Sequence, residues 1–185
     1  MMRKQLSAYS EKNFKPSWTK LSGQTAKLIK DEIFIALTKE SSGAVRNQIC
    51  DLIGELGGTI INIEEEDADK LPEESTSWPE LMKRIQELWL SNIDTMMEAA
   101  LRIMATLFTY VSDEFMQYKS DLYTMFKNGM EHNTIEIKAA AIEALSSWLG
   151  IIDSKTCKLY EDLIPLLMNT VLVVLAKNED KVHCF

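Results

Sequence analysis

The chain has few residues that break helices. It contains 7 Gly and 4 Pro among its 185 residues, and Leu, Ile, Ala, Met, Glu and Lys are the common residue types. This composition indicates helices joined by short turns. Because 46% of the residues are hydrophobic, the chain is able to bury a continuous core, which excludes a disordered protein. We therefore expect an all-α fold.

Cysteine and histidine are scarce as well. The three cysteines, Cys50, Cys157 and Cys184, are far apart, odd in number and outside any C-x-x-C spacing, so they indicate neither a disulfide framework nor a zinc site and favour a reducing intracellular compartment. His132 and His183 have no carboxylate or thiol at the spacing of a metal site or a catalytic dyad. We expect no enzyme activity, no catalytic residue, no metal and no cofactor.

The sequence shows no export signal or obvious membrane span. Residues 1–6 lack an apolar stretch after their basic residues, so no signal peptide is expected. The most apolar run, residues 163–176, covers 14 positions and contains Pro165 and Asn169, whereas a span needs about 20 apolar residues. It is interpreted as a buried helix. A formal net charge of −8 and a pI near 4.9 disfavour nucleic acid and membrane surfaces and favour basic protein partners.

One apolar pattern occurs three times at the spacing of a helix face. Residues at offsets of 0, 4, 7, 8 and 11 form the stripes Val45, Ile49, Leu52, Ile53 and Leu56; Met96, Ala100, Ile103, Met104 and Leu107; and Ile137, Ala141, Ala144, Leu145 and Trp148. The stripes start 51 and then 41 residues apart, and the acidic stretch 64–70 lengthens the first interval as an inserted loop. Without that insertion both intervals are near the roughly 40 to 47 residues of HEAT repeats.

Each striped helix, here named a B helix, follows another predicted helix, named an A helix. The pairs predict one HEAT array over residues 1–185. It comprises the tail of a B helix at 3–8, repeats at about 25–58, 79–110 and 114–150, and the A helix of a further repeat at about 158–176. Pro165 should kink that last helix. Residues 178–182 are interpreted as the turn before a further B helix, so the chain is expected to be a fragment.

The stripes predict the core and an open edge. We expect the following residues to be buried: Ile49, Leu52, Ile53, Ala100, Ile103, Leu107, Ala141, Leu145 and Trp148. No later B helix covers the last A helix, which should therefore leave apolar surface open at Leu163, Leu166, Leu167, Val171, Val174 and Leu175. Weak homodimerisation through this edge is expected.

The B-helix face opposite the stripes carries the candidate protein-binding residues. They are Asn47, Asp51, Glu55, Glu98, Arg102 and Glu143. Since stacked helices lie about 8 to 10 Å apart, Asp51, Arg102 and Glu143 form a row that either meets as a charge ladder or points at a partner. An ordinary solvated helix face is the alternative for each single residue.

Three further segments have plain structural interpretations. The stretch 54–58 (GELGG) ends a helix and is interpreted as a C-cap, not a phosphate-binding loop. The acidic residues 64–74 lack the order of a calcium loop, so a solvated loop is favoured over a site for a cation or a basic segment. Most of the central aromatics should be packing between A and B helices, with grooves for Phe-Gly peptides as the alternative: Phe108, Tyr110, Phe115, Tyr118, Tyr123 and Phe126.

Three segments, in order, carry a resemblance to a known family. They are Ala44–Leu56 (AVRNQICDLIGEL), Trp78–Leu81 (WPEL) and Glu98–Ile103 (EAALRI). Together with Val45-Arg46 and Ile137-Lys138 at the heads of B helices, they resemble the N-terminal HEAT repeats of karyopherin-β nuclear import receptors. The most similar branch is importin beta-three, also called Ran-binding protein five. The second B helix departs from the pattern, with Met96-Met97 at its head.

The resemblance implies both a fold and a function. The fold would be a right-handed HEAT α-solenoid with B helices on the concave side. The function would be that of an N-terminal fragment of an import receptor, located in cytoplasm and nucleus. Its partners would be Ran-GTP on the concave side, cargo proteins and, in the full-length protein, nucleoporin Phe-Gly repeats. The alternative is a HEAT scaffold subunit of a phosphatase, coat or chromatin complex.

Overall fold

The regular elements of the chain are helices throughout the part that the structure describes. This computed structural model describes residues 18–63, 68–110 and 113–182, so the predicted helix tail at 3–8 lies outside the described residues. The α-helices are α1 (Gly23–Lys39), α2 (Gly43–Ile61), α3 (Glu73–Thr76), α4 (Leu81–Leu90), α5 (Asp94–Leu107), α6 (Lys119–Glu131), α7 (Ile135–Leu149), α8 (Ser154–Cys157) and α9 (Ile164–Val182). Two 3-10 helices cover Asp113–Tyr118 and Lys158–Leu163.

The helices form two layers of a solenoid. The B helices α2, α5 and α7 stack on one another, and the A helices α1, α4 and α6 each pack on the B helix that follows, while α9 packs on α6 and α7. Short polar turns join the pairs, and serine side chains start the first two long helices. Ser22 Oγ accepts a hydrogen bond from Thr25 N–H in α1, and Ser42 Oγ accepts one from Val45 N–H in α2. The predicted all-α repeat solenoid is confirmed.

The predicted core is confirmed except on the outer side of α2. Leu52 is 42% exposed and Ile49 is only partly buried, whereas Ile103, the stripe residue that corresponds to Leu52, is fully buried. Ile103 is covered because α5 lies between α2 and α7. Among the described residues no B helix packs on the equivalent side of α2, so the prediction for Leu52 is wrong. The remaining seven predicted core residues are buried.

The glycines near the end of α2 lie inside the helix, so the predicted C-cap is wrong. The helix continues to Ile61, and Asn62 follows it as the C-cap. A Cβ added to Gly54 would lie 2.5 Å from Thr106 Cβ, and one added to Gly57 would lie 2.7 Å from a Leu81 methyl carbon. The glycines therefore allow α2 to approach α4 and α5 closely, which the pattern GELGG alone does not reveal.

The last helix differs from its prediction in two ways. Regular α-helix begins only at Ile164, so Pro165 is its second residue. An N–H in the first turn has no acceptor within the helix, and Pro165 therefore opens α9 instead of kinking it. Residues 178–182 continue α9 to Val182. The turn predicted there is therefore wrong.

One side of α9 is open. The prediction of a buried helix at 163–176 is wrong, because α6 and α7 cover only one side of it. The predicted apolar edge exists, but its most exposed large residues are largely different from those predicted: Ile164, Met168, Leu172, Val173 and Leu175. The stretch Ser154–Lys177 has 24 residues, is mostly unburied and is long and apolar enough to cross a membrane by length and composition alone. Core helices of soluble proteins pass the same test, so this measure assigns no membrane.

Candidate protein-binding face of the B helices

Close packing of the B helices brings the predicted charged residues onto one surface. Gly54 of α2 touches Thr106 of α5, and one helical turn before each lie Asp51 and Arg102. The contact at Gly54 therefore places the turns of α2 and α5 that carry Asp51 and Arg102 next to each other.

A charge ladder continues from α5 to α7. Arg102 Nε donates a hydrogen bond to Glu98 Oε1 at 2.9 Å, and Arg102 Nη1 lies 3.6 Å from Glu143 Oε2. The side chain of Glu98 is only 11% exposed, whereas that of Glu143 is 56% exposed. The structure thus brings three of the six candidate residues into one cluster, with Glu143 as its solvent-facing end.

The other three candidates lie on α2. Asp51 is exposed, while Asn47 and Glu55 are partly buried. Thr106, one turn after Arg102, donates its hydroxyl proton to the Arg102 carbonyl oxygen, so that hydroxyl is engaged within α5. The carboxylates of Asp51, Glu55 and Glu143 thus come from the two B helices that pack against α5, the helix that carries Arg102.

Cys50 lies in the core beneath this face, and its thiol is unreactive. It is fully buried, and burial raises the pKa of its thiol to about 12, with Asp51 and Glu98 adding to the increase and Arg102 and Arg46 opposing it. A protonated, inaccessible thiol is a poor nucleophile. Among the described residues no group of three or more His, Cys, Asp or Glu side chains could hold a metal ion.

Sequence reasoning missed a buried lysine that donates hydrogen bonds to the segment following the acidic stretch 64–70. Lys30 of α1 lies 6.0 Å from the ring of Trp18 and 5.8 Å from that of Trp78, and its ammonium donates hydrogen bonds to the carbonyl oxygens of Glu74 and Ser77. Burial is the main cause that lowers the pKa of Lys30. A lysine on an amphipathic helix normally indicates a solvated face, so no local signal distinguished it.

The A-helix side has a groove between α4 and α6. Its volume is about 530 Å³, and its lining includes Met82, Trp89, Leu90, Tyr118 and Met125. Tyr118 is one of the six aromatics considered for Phe-Gly peptides. Phe108, Phe115 and Phe126 are instead buried in the core, where Phe108 also packs against Trp148, and Tyr110 and Tyr123 are partly buried.

The two-layer fold and the charged B-helix face define a helix-pair repeat protein. Among known protein families, the one described as "IPO5-like, TPR repeats" matches residues 41–184. The chain belongs to this family, which confirms the resemblance to the importin-β superfamily. Its B helices start at Gly43, Asp94 and Ile135. The second interval is typical of HEAT repeats, whose period is about 40 to 47 residues, and both intervals exceed the tetratricopeptide period of about 34 residues. No curated protein and no solved structure matched the chain.

Proposed function

We propose that the chain is the N-terminal repeat segment of a nuclear import receptor that binds Ran-GTP and basic cargo proteins through its B-helix face. The observation that carries the proposal is the cluster of charged residues that joins α5 and α7 in a chain of an importin-like family. The receptor would move between cytoplasm and nucleus. We also propose that residues 1–185 form one continuous array.

The charge of the face supports a basic partner. Exposed carboxylates at Asp51 and Glu143 attract lysine and arginine, and the net charge of −8 favours the same class of protein over nucleic acid. Exposed charges are screened over about 10 Å at 0.1 M salt. Binding should therefore weaken as the salt concentration rises.

The test is titration of GTP-locked Ran and of GDP-loaded Ran into the chain by calorimetry. We expect tighter binding of the GTP form, and weaker binding after the double charge reversal of Asp51 and Glu143 to lysine. Reversal of Glu32 and Glu131 to lysine, at exposed positions on two A helices, changes the net charge equally and is the control. Equal binding of both nucleotide states would contradict the proposal and favour a HEAT scaffold of another complex.

We further propose that the groove between α4 and α6 accepts nucleoporin Phe-Gly repeats. Its methionine and tryptophan side chains provide an adaptable apolar surface for a phenylalanine ring. Leu90 and Tyr118 line the groove and are exposed, so Leu90→Ser and Tyr118→Ala should leave the fold intact while weakening binding of a Phe-Gly peptide. Leu28→Ser, at an equally exposed leucine of α1, is the control. Unchanged peptide binding in both groove variants would exclude this site.

A further inference from the structure

Arg102 is shared unequally between two carboxylates. Its Nε atom makes a hydrogen bond of 2.9 Å to Glu98, whereas its Nη1 atom is 3.6 Å from Glu143, an ion-pair distance too long for a good hydrogen bond. Glu98 precedes Arg102 by one turn of α5, the spacing at which helix side chains pair. Glu98 therefore anchors the guanidinium, and Glu143 on α7 is held loosely.

The two carboxylates differ in access from solvent. The side chain of Glu98 is 11% exposed and largely covered by the stack, so a partner protein has little access to it. The side chain of Glu143 is 56% exposed and that of Arg102 26%. A basic partner that approaches this face meets Glu143 first, and it meets Arg102 as a neighbouring positive charge.

We propose that Arg102 is an internal counter-ion that competes with a partner's lysine or arginine for Glu143, and that Glu98 controls this competition by holding the guanidinium. Arg102 and Glu98 are then positioning residues, and Glu143 makes the contact. The inference rests on the proposed function in one respect only, since it takes the B-helix face as the surface that a basic partner meets.

The proposal predicts how each of three substitutions changes the affinity for a basic partner. Glu143→Gln should weaken binding of a basic partner because the contact is lost. Arg102→Gln should strengthen it because the competitor is lost, by about two- to fivefold, the range typical of partly exposed ion pairs. Glu98→Gln should weaken it by a similar factor, because the released guanidinium then pairs more fully with Glu143. Glu32→Gln and Lys127→Gln, at exposed positions on A helices, change the net charge equally and should have smaller effects.

The double variant separates positioning from a general charge effect. If Glu98 acts only through Arg102, Glu98→Gln should lose its effect when Arg102→Gln is already present. This double variant removes the largely covered carboxylate of Glu98 together with its arginine partner, so that only the exposed Glu143 loses an ion-pair partner. Thermal melts followed by circular dichroism check that each variant is folded. Weaker binding of Arg102→Gln would show that Arg102 itself contacts the partner. An equal effect of Glu98→Gln in both backgrounds would show that only net charge matters. Either result overturns the proposal.

Two probes keep this inference distinct from the proposed function. The wild-type chain, the three single variants, the double variant and the two controls are each titrated with GTP-locked Ran and with an octalysine peptide at low salt. If Ran shows no nucleotide preference but the affinities of the variants for octalysine change as predicted, the inference holds and the proposed function fails. If Ran-GTP binds preferentially but the effects of Glu98→Gln and Arg102→Gln on affinity are additive, the function stands and the inference fails. If neither probe binds the wild-type chain, Glu143 attracts no basic partner and the inference is wrong.

Discussion

At the scale of single residues, two glycines, which lack a side chain, determine how closely α2 packs against its neighbours. Gly54 lies against Thr106, and Gly57 lies against Leu81 and Leu107. None of the described glycines adopts a positive φ angle, so these two are needed for close approach and not for an unusual backbone conformation. They allow α2 to pack closely against α4 and α5.

Replacing Gly54 with alanine should therefore destabilise the protein. The new Cβ would lie 2.5 Å from Thr106 Cβ and 2.7 Å from Thr106 Cγ2, and such overpacking typically costs about 1–3 kcal/mol. Alanine's higher helix propensity offsets up to about 1 kcal/mol of that cost. Urea denaturation measures the balance. Gly43→Ala in the same helix, where the nearest atom is 3.7 Å away, is the control and should not reduce the free energy of unfolding.

At the scale of helices, a neighbouring repeat decides which apolar residues are buried. The stripes of α2 and α5 have the same spacing, yet Leu52 is exposed and Ile103 is covered. The difference arises because α5 has a B helix on each side, whereas α2 has one only on the side of α5 among the described residues. A stripe predicts a helix face, and the stack determines its burial.

This asymmetry predicts unequal effects of two equivalent substitutions. Ile103→Ala should lower the free energy of unfolding by about 2–5 kcal/mol, as truncations in a packed core do. Leu52→Ala should cost no more than about 1 kcal/mol, because an exposed side chain has little burial to lose. Chemical denaturation of both variants provides the comparison. A cost for Leu52→Ala as large as that for Ile103→Ala would mean that the open side of α2 is covered in solution.

At the scale of the whole molecule, the array has apolar surface at one end. Ile164, Met168, Leu172 and Leu175 recur at helical spacing on the side of α9 that faces away from α6 and α7. Apolar surface of this kind commonly marks an interaction site. Another part of a longer array and a second copy of the chain are both suitable covers for it.

We predict weak self-association through this stripe. Light scattering should show an average mass that rises with protein concentration, and Leu172→Glu should suppress the rise because it places a charge in the contact. Leu28→Glu, on α1 at the opposite end of the array, provides a matched control and should not suppress it. A strictly monomeric protein at high concentration would contradict the prediction, as would association that Leu172→Glu leaves unchanged.

The sequence by itself determined the helix pairs, their order and part of the core. Apolar periodicity is a local property, and seven of nine predicted core residues, Trp148 among them, are buried. The family match was also foreseeable, because segments such as the one beginning at Ala44 resemble that family and lie within the matched residues. Helical geometry alone assigned Asp51, Arg102 and Glu143 to one face.

Only the tertiary structure decided what those residues meet. The distance from Arg102 to Glu143, the burial of Lys30 near two indole rings and the contacts of Gly54 all depend on residues that are distant in the sequence. The exposure of Leu52 and the open side of α9 depend equally on where a neighbour is missing from the described residues. Local periodicity determines the direction in which a side chain leaves its own helix. Its burial and its partners are determined by the atoms of the element that packs against that helix.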